Sequence, residues 1–245
     1  MIQTTTHTAG EQRIFWIADR IFADDFPDVR SALCEPDGLL AIGGDLHPAR
    51  ILDAYRRGIF PWFNPGQPVL WWSPDPRCVL RPAEIHIASS LHKLLRRQQF
   101  RVSFNPAFDR VIRSCAEPRA DGRGTWLSEE MILAYTGLHQ QGHAVSVECW
   151  YGDDLVGGLY GVVAGRIYFG ESMFSRMANA SKVCLVHLAR QLELADFPLI
   201  DCQVHSSHLA SLGATLIPRE QFTELLSRYC YEPGLTDWPA QGVWP

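Results

Sequence analysis

The sequence predicts an α+β protein, with a small N-terminal α/β unit over residues 1–75 and a larger C-terminal unit over 76–245. Three observations carry this expectation. The Ser73-Pro74-Asp75-Pro76 run places two prolines two apart, which favours extended, non-helical chain and marks a boundary. Three apolar segments, 144–151, 155–163 and 166–172, follow one another across the tight turns Gly152-Asp153-Asp154 and Ala164-Gly165, as an antiparallel meander does. A long helical pattern, a short strand and further helices come after them, giving helices packed on a sheet.

The elements are justified in chain order. RIFWIA reads as a strand, and His47–Arg57 as a short helix with Pro48 near its start and Gly58 just past its end. CVLRPAEIHI alternates as a strand, Ser89–Gln99 is a basic helix and FRVSFN is another strand. Asn105-Pro106 opens a helix to about Cys115, with Asn as cap and Pro in the first turn. Ser128 caps a helix that Gly142 ends; after the meander come a helix over 180–195, the strand LIDCQV (199–204), and helices near 208–212 and 219–229.

The 245 residues are 47% hydrophobic and 20% charged, an ordinary globular composition. No apolar run approaches the roughly 18 residues of a membrane span, and MIQTTTHTAGEQR lacks the basic and apolar regions of a signal peptide. Seven scattered cysteines, odd in number and without CxxC, favour reduced thiols in a cytoplasm. The net charge of −5 argues mildly against a nucleic-acid partner, although all basic residues except Lys93 and Lys182 are arginines. That bias fits a GC-rich genome or phosphate binding by a planar fork.

Several motifs carry two readings each. Within Leu199–Val204, strand alternation places Asp201 and Gln203 on one face and Cys202 on the other. This is either the solvent side of an edge strand or a carboxylate orienting an amide toward a ligand. Glu171 sits among aromatics beside Gly170, and an acid there must be paired, hydrogen-bonded or protonated. It is a structural salt-bridge partner or a site residue. Lys93, Arg96, Arg97 and Arg101 form a solvated helix face or a phosphate-contact patch. Cys202-x-x-His205-x-x-His208 fits metal spacing only loosely and signals no fourth ligand, so no metal is expected. Arg119–Gly124 matches the R-x-x-G-x-G pattern of a pyrophosphate cradle, but it follows a helix where a strand should precede it. Between Gly38 and Arg77, Phe60, Trp62, Phe63, Trp71 and Trp72 are interleaved with prolines, suggesting a rigid aromatic surface for something flat.

Taken together, GLLAIGGDL, AYRRGIFPWF, WWSPDPR, GTW, GESMFS, NASK, IDCQ and ASLGA occur in this order from residue 38 to 214. The chain resembles the leucyl/phenylalanyl-tRNA–protein transferases over roughly 26–219. The resemblance implies a cytoplasmic, monomeric enzyme of the N-degron pathway. It would move Leu or Phe, and Met less well, from aminoacyl-tRNA to proteins beginning with Arg or Lys, without cofactor or metal. It also implies an acetyltransferase-like (GNAT) fold for the larger domain, and the alternative reading is an acetyl-CoA-dependent N-acyltransferase of that fold. By family match, Trp62 and Trp126 stack on the terminal adenosine, with Tyr55 and Tyr135 nearby. Leu159, Tyr168, Phe169, Met173, Leu188 and Ile200 are the candidates for the aminoacyl pocket. Glu171 and Asp201 would select a cationic acceptor by charge. Gln203 would orient the amine while water or the ribose 2′-hydroxyl moves the proton, because a carboxamide is far too weak a base. Trp71, Trp72 and Ser73–Pro76 would form the hinge that docks the N-terminal wall.

Overall fold

The computed structural model describes residues 14–18, 26–118 and 127–242. Two sheets organise it. The smaller contains β1 (Phe15–Ile17), β2 (Leu39–Gly43), β3 (Phe60–Pro61) and β4 (Leu70–Trp72), in the order β1-β2-β4-β3. The larger has seven strands, β5 (Arg77–Leu80), β6 (Arg101–Phe104), β7 (Ala144–Tyr151), β8 (Asp154–Ala164), β9 (Ile167–Ser175), β10 (Leu199–Gln203) and β11 (Thr215–Ile217). Its order is β11-β5-β10-β9-β8-β7-β6, antiparallel throughout except for the β9–β10 pair. The α+β class holds.

Among the described residues seven α-helices accompany the sheets: α1 (Pro48–Arg56), α2 (Ser89–Arg96), α3 (Phe108–Ala116), α4 (Glu129–Gln140), α5 (Ala180–Leu194), α6 (Ser207–Ala210) and α7 (Arg219–Tyr229). Period-two burial on the strands separates two cores. On one face Leu159, Tyr168 and Ile200 pack with Leu91 and Leu95 of α2 and the inner stripe of α5. On the other face Tyr160, Val162 and Phe169 pack with α3, α4 and the buried side of α1. That second core runs on without a break into Phe60 and Trp71 of the small sheet. Gly157 of β8 lets the start of α5 come close, since a Cβ there would lie 2.6 Å from the Cβ of Ala180.

The segment after β4 is held firmly. Ser73 N–H donates to Gly38 C=O at 2.7 Å, Ser73 C=O accepts from Arg219 at 2.6 Å, and Asp75 Oδ1 accepts from the Arg219 N–H at 3.0 Å. Gly38 has φ +85°, and a Cβ would fall 2.5 Å from Pro74, so glycine is required there.

Some local expectations change. Asn105 does not cap α3: its φ is +75°, its Oδ1 accepts from Ser146 N–H at 3.1 Å, and the helix begins at Phe108 with Ala107 before it. CVLRPAEIHI is a strand only through Leu80, and all four residues of β5 are buried, so its apparent alternation has no exposed face. A 3₁₀ turn, Pro82–Glu84, follows it. Strands β2, β3, β4 and β11 were not anticipated. Trp71 lies in β4, fully buried, donating its indole N–H to Gly43 C=O at 2.8 Å.

Candidate functional site

The site forms where two strands part. β9 and β10 pair in parallel only from Leu199↔Ile167 to Asp201↔Phe169. Beyond that point β9 continues to Ser175 along β8, while β10 breaks register between Asp201 and Gln203 and ends. The wedge between them is a cavity of about 520 Å³. Its walls include Leu159, Tyr168, Met173, Leu188 and Ile200, with Glu171 and Gln203 among its polar lining. Concave, mostly apolar walls with a few convergent polar groups are the usual form of a small-ligand site.

A second cavity, of about 240 Å³, adjoins it and is lined by Phe60, Pro61, Trp62 and Val204. Glu171, Cys202 and Gln203 line both. Trp62 is 48% exposed. Its carbonyl accepts from the Trp72 indole N–H at 2.6 Å, and the two rings lie 5.7 Å apart. The indole is therefore anchored through its backbone while one ring face stays open for stacking.

Glu171 sits half-buried at the junction of the two cavities. Its Oε1 accepts from Tyr55 at 2.6 Å and from Gln203 Nε2 at 3.1 Å; its Oε2 accepts from Tyr135 at 2.9 Å. The Tyr55 and Tyr135 hydroxyl oxygens are themselves 2.6 Å apart. Loss of water raises the Glu171 carboxyl to about 7, against the pull of both tyrosine donors. Burial likewise pushes both phenols well above their ordinary range.

Asp201 is fully buried and faces neither cavity. Arg77 grips it bidentately, Nε to Oδ1 at 2.8 Å and Nη2 to Oδ2 at 2.7 Å. Arg77 also donates to Gly58 C=O at 3.0 Å and lies over the rings of Phe60 and Phe222. Asp201 Oδ1 accepts the Gln203 backbone N–H at 3.0 Å, which holds Gln203 at φ +54°, a left-handed conformation costly for a residue with a Cβ. The carboxylate therefore fixes the backbone of Gln203, and Glu171 fixes its side-chain amide.

The expected site residues separate into groups. Leu159, Tyr168, Met173, Leu188 and Ile200 meet around the large cavity. Phe169 does not: one step along the strand from Tyr168, it turns to the other face and packs on Tyr55 with ring centroids 4.9 Å apart. Tyr55 and Tyr135 are fully buried, so neither ring offers a face to an adenosine, and their contribution is the pair of hydroxyls on Glu171. Trp71, part of the expected docking hinge, is a fully buried residue of the core that the two sheets share. Trp126 and the Arg119–Gly124 run lie outside the described residues. Lys93, Arg96, Arg97 and Arg101 are all exposed on α2 and the start of β6, with Arg101 over the Trp150 ring. Among the described residues no group of three or more His, Cys, Asp or Glu could hold a metal ion, and Cys202, His205 and His208 form no such group. Sequence reasoning missed Arg77, whose only local signal was its place at the end of WWSPDPR, and Leu185 and Leu209, which complete the cavity wall.

The family model described as leucyl/phenylalanyl-tRNA protein transferase matches residues 79–227, and the model for that family's N-terminal domain matches 44–75. The chain belongs to the leucyl/phenylalanyl-tRNA–protein transferase family. The transferase of Cellvibrio japonicus is 57% identical over 88% of this chain and 91% of its own length. Those of Nitrosomonas europaea (57%, 85% and 89%) and Chromohalobacter salexigens (58%, 88% and 84%) are similarly near. The site residues from β9 and β10, together with Arg77's partner Asp201, fall inside the larger matched region, and Tyr55 and Trp62 inside the smaller.

Proposed function

We propose that this chain transfers leucyl or phenylalanyl groups, and methionyl less well, from aminoacyl-tRNA to the α-amine of proteins beginning with Arg or Lys, as an enzyme of the N-degron pathway. The observation that carries the reading is the meeting of an apolar cavity and an open tryptophan at Glu171 and Gln203. An aminoacyl ester has an apolar side chain, a reacting carbonyl and a terminal adenosine, in that order. The large cavity takes the side chain, Gln203 lies where the carbonyl and amine meet, and Trp62 supports the adenine. Met173 suits guests of differing shape. A cavity of this kind discriminates single methylenes only modestly, by about 1–3 kcal/mol each.

The exposed Lys93, Arg96, Arg97 and Arg101 are the proposed phosphate contacts. An acetyltransferase-like fold for residues 76–245, preceded by a domain over 1–75, is supported by the antiparallel meander and the α5 crossover to a parallel strand. Among the described residues no helix is long and apolar enough to cross a membrane, and all seven cysteines are free thiols. Both fit a protein working in the cytoplasm, and a monomer is proposed from the family resemblance alone. The test is incubation with leucyl-tRNA and an Arg-initiated peptide. Gain of one leucine mass, with none from acetyl-CoA, is expected; acetylation without tRNA would favour the rival N-acyltransferase.

A further inference from the structure

An N-terminal ammonium loses two protons on becoming an amide nitrogen, and the residues at the cavity junction differ in their ability to take one. Gln203 is a carboxamide and is not a base near neutral pH. Asp201 is sealed from both cavities with its two oxygens on Arg77. Tyr55 and Tyr135 remain phenols because burial disfavours their charged forms. Glu171 alone among these groups combines an edge on both cavities with a titratable carboxyl.

The hydrogen-bond geometry around Glu171 favours a carboxyl that changes protonation. Three oxygen–oxygen contacts close a ring: Glu171 Oε1 to Tyr55 at 2.6 Å, Tyr55 to Tyr135 at 2.6 Å, and Tyr135 to Glu171 Oε2 at 2.9 Å. Three such bonds need three protons, and the two phenols supply two. A proton on Glu171 Oε2 completes the ring: Glu171 donates to Tyr135, Tyr135 to Tyr55, and Tyr55 back to Oε1. With Glu171 ionised, both phenols turn to the carboxylate and the tyrosine–tyrosine contact has no hydrogen. Both protonation states are thus accommodated by rotating hydroxyls without moving a heavy atom.

We propose that Glu171 is the proton acceptor of the transfer reaction, taking a proton directly from the acceptor's α-ammonium, and that the Tyr55–Tyr135 ring behind it accommodates that proton. The proposal rests on the transferase reading above. The Glu171 carboxylate accepts one N–H proton and frees the amine lone pair. The nitrogen bonds to the ester carbonyl carbon, the bond from that carbon to the ribose oxygen breaks, and the departing oxygen leaves with the second N–H proton. Glu171 returns its proton to solvent.

Besides the two phenols and the Gln203 amide, Glu171 is faced by Tyr160 of β8, Tyr168 of its own strand, Asp201 of β10 and Arg77 of β5. Asp201 and Arg77 act on the carboxyl in opposite directions. Burial is left as the dominant influence, and it poises the carboxyl near the working pH, where a general base is most effective.

Single-turnover transfer from leucyl-tRNA to an Arg-initiated peptide, measured from acid to mildly alkaline pH, tests this. The wild-type rate should show a limb near pH 7 in addition to that of the peptide amine near about 8. Glu171→Gln keeps the ring, because its amide N–H replaces the acid proton. It should lower the maximal rate by about 10²-fold or more, abolish the limb near pH 7 and leave the KM for the peptide within about threefold. A raised KM with the rate and limb intact would mean that Glu171 only selects charge, and would overturn the proposal. An infrared carboxyl band that titrates with the same midpoint as the wild-type limb is expected as well, and needs no variant; a limb without such a band overturns the assignment. A wild-type chain that transfers no leucine would instead overturn the transferase reading itself.

Discussion

Arg77 has no water contact, yet its guanidinium is used completely: two bonds to Asp201, one to Gly58 C=O and two aromatic faces. Removing one member of such a pair strands the other charge in the interior. Arg77→Leu should therefore cost about 3–5 kcal/mol in chemical denaturation, and Arg77→Lys should recover little, since an ammonium cannot reproduce the fork. Glu171 gives a second test at this scale. An acid whose folded pKa is raised from 4.5 to about 7 binds more protons folded than unfolded between those values. Its contribution to stability is present below about 4.5 and is lost as pH rises through 7. Glu171→Gln should remove that slope, so thermal unfolding should show the variant gaining on wild type between pH 4.5 and 7 and holding level above; a constant difference would count against the raised pKa. Glu171, Asp201 and Gln203 were legible as a polar set inside apolar strands. Arg77 was not, because its partner lies 124 residues away and local pattern carries no information about it.

At the scale of elements, the cavity follows from unequal strand lengths. β9 outruns its parallel partner β10, and α5 roofs the gap with Leu185 and Leu188. The meander, α4, α5 and α7 were readable because turns and caps bracket them: Ser128 accepts from Met131 N–H at 3.3 Å at the start of α4. The short strands β2 to β4 were not: β2 is an unbroken apolar run, and β3 and β4, two and three residues long, are too short to show a period. Face assignment was half legible. Tyr168 and Phe169 both looked suited to a pocket, and only the strand pairing decides which one turns toward α5. Leu159→Phe, on the cavity wall, should reduce phenylalanyl transfer by tenfold or more, about 1.4 kcal/mol, while leucyl transfer falls less. Competition between the two charged tRNAs measures this, and equal losses would place the side chain elsewhere.

Across the whole molecule, the two sheets share one core on the side of α1, α3 and α4, while the opposite face of the large sheet carries α2 and α5. The proposed catalytic groups gather at the junction of the two cavities. The overall charge of −5 gives no hint of a polyanionic partner, whereas Lys93, Arg96 and Arg97 lie together on the exposed face of an α2 whose Leu91 and Leu95 are buried. Replacing Arg96 by Ala should weaken tRNA binding uniformly across sequences and flatten its logarithmic salt dependence by about one; an unchanged slope would remove α2 from the interface. The central claim is the joint use of the two cavities around Glu171 and Gln203. A crystal structure with an amide-linked leucyl- or phenylalanyl-adenosine tests it most directly. The account predicts the side chain between Leu159, Met173 and Leu188, the carbonyl at Gln203 and the adenine against Trp62. An adenine bound away from Trp62, or a side chain outside the β9–β10 wedge, would contradict it.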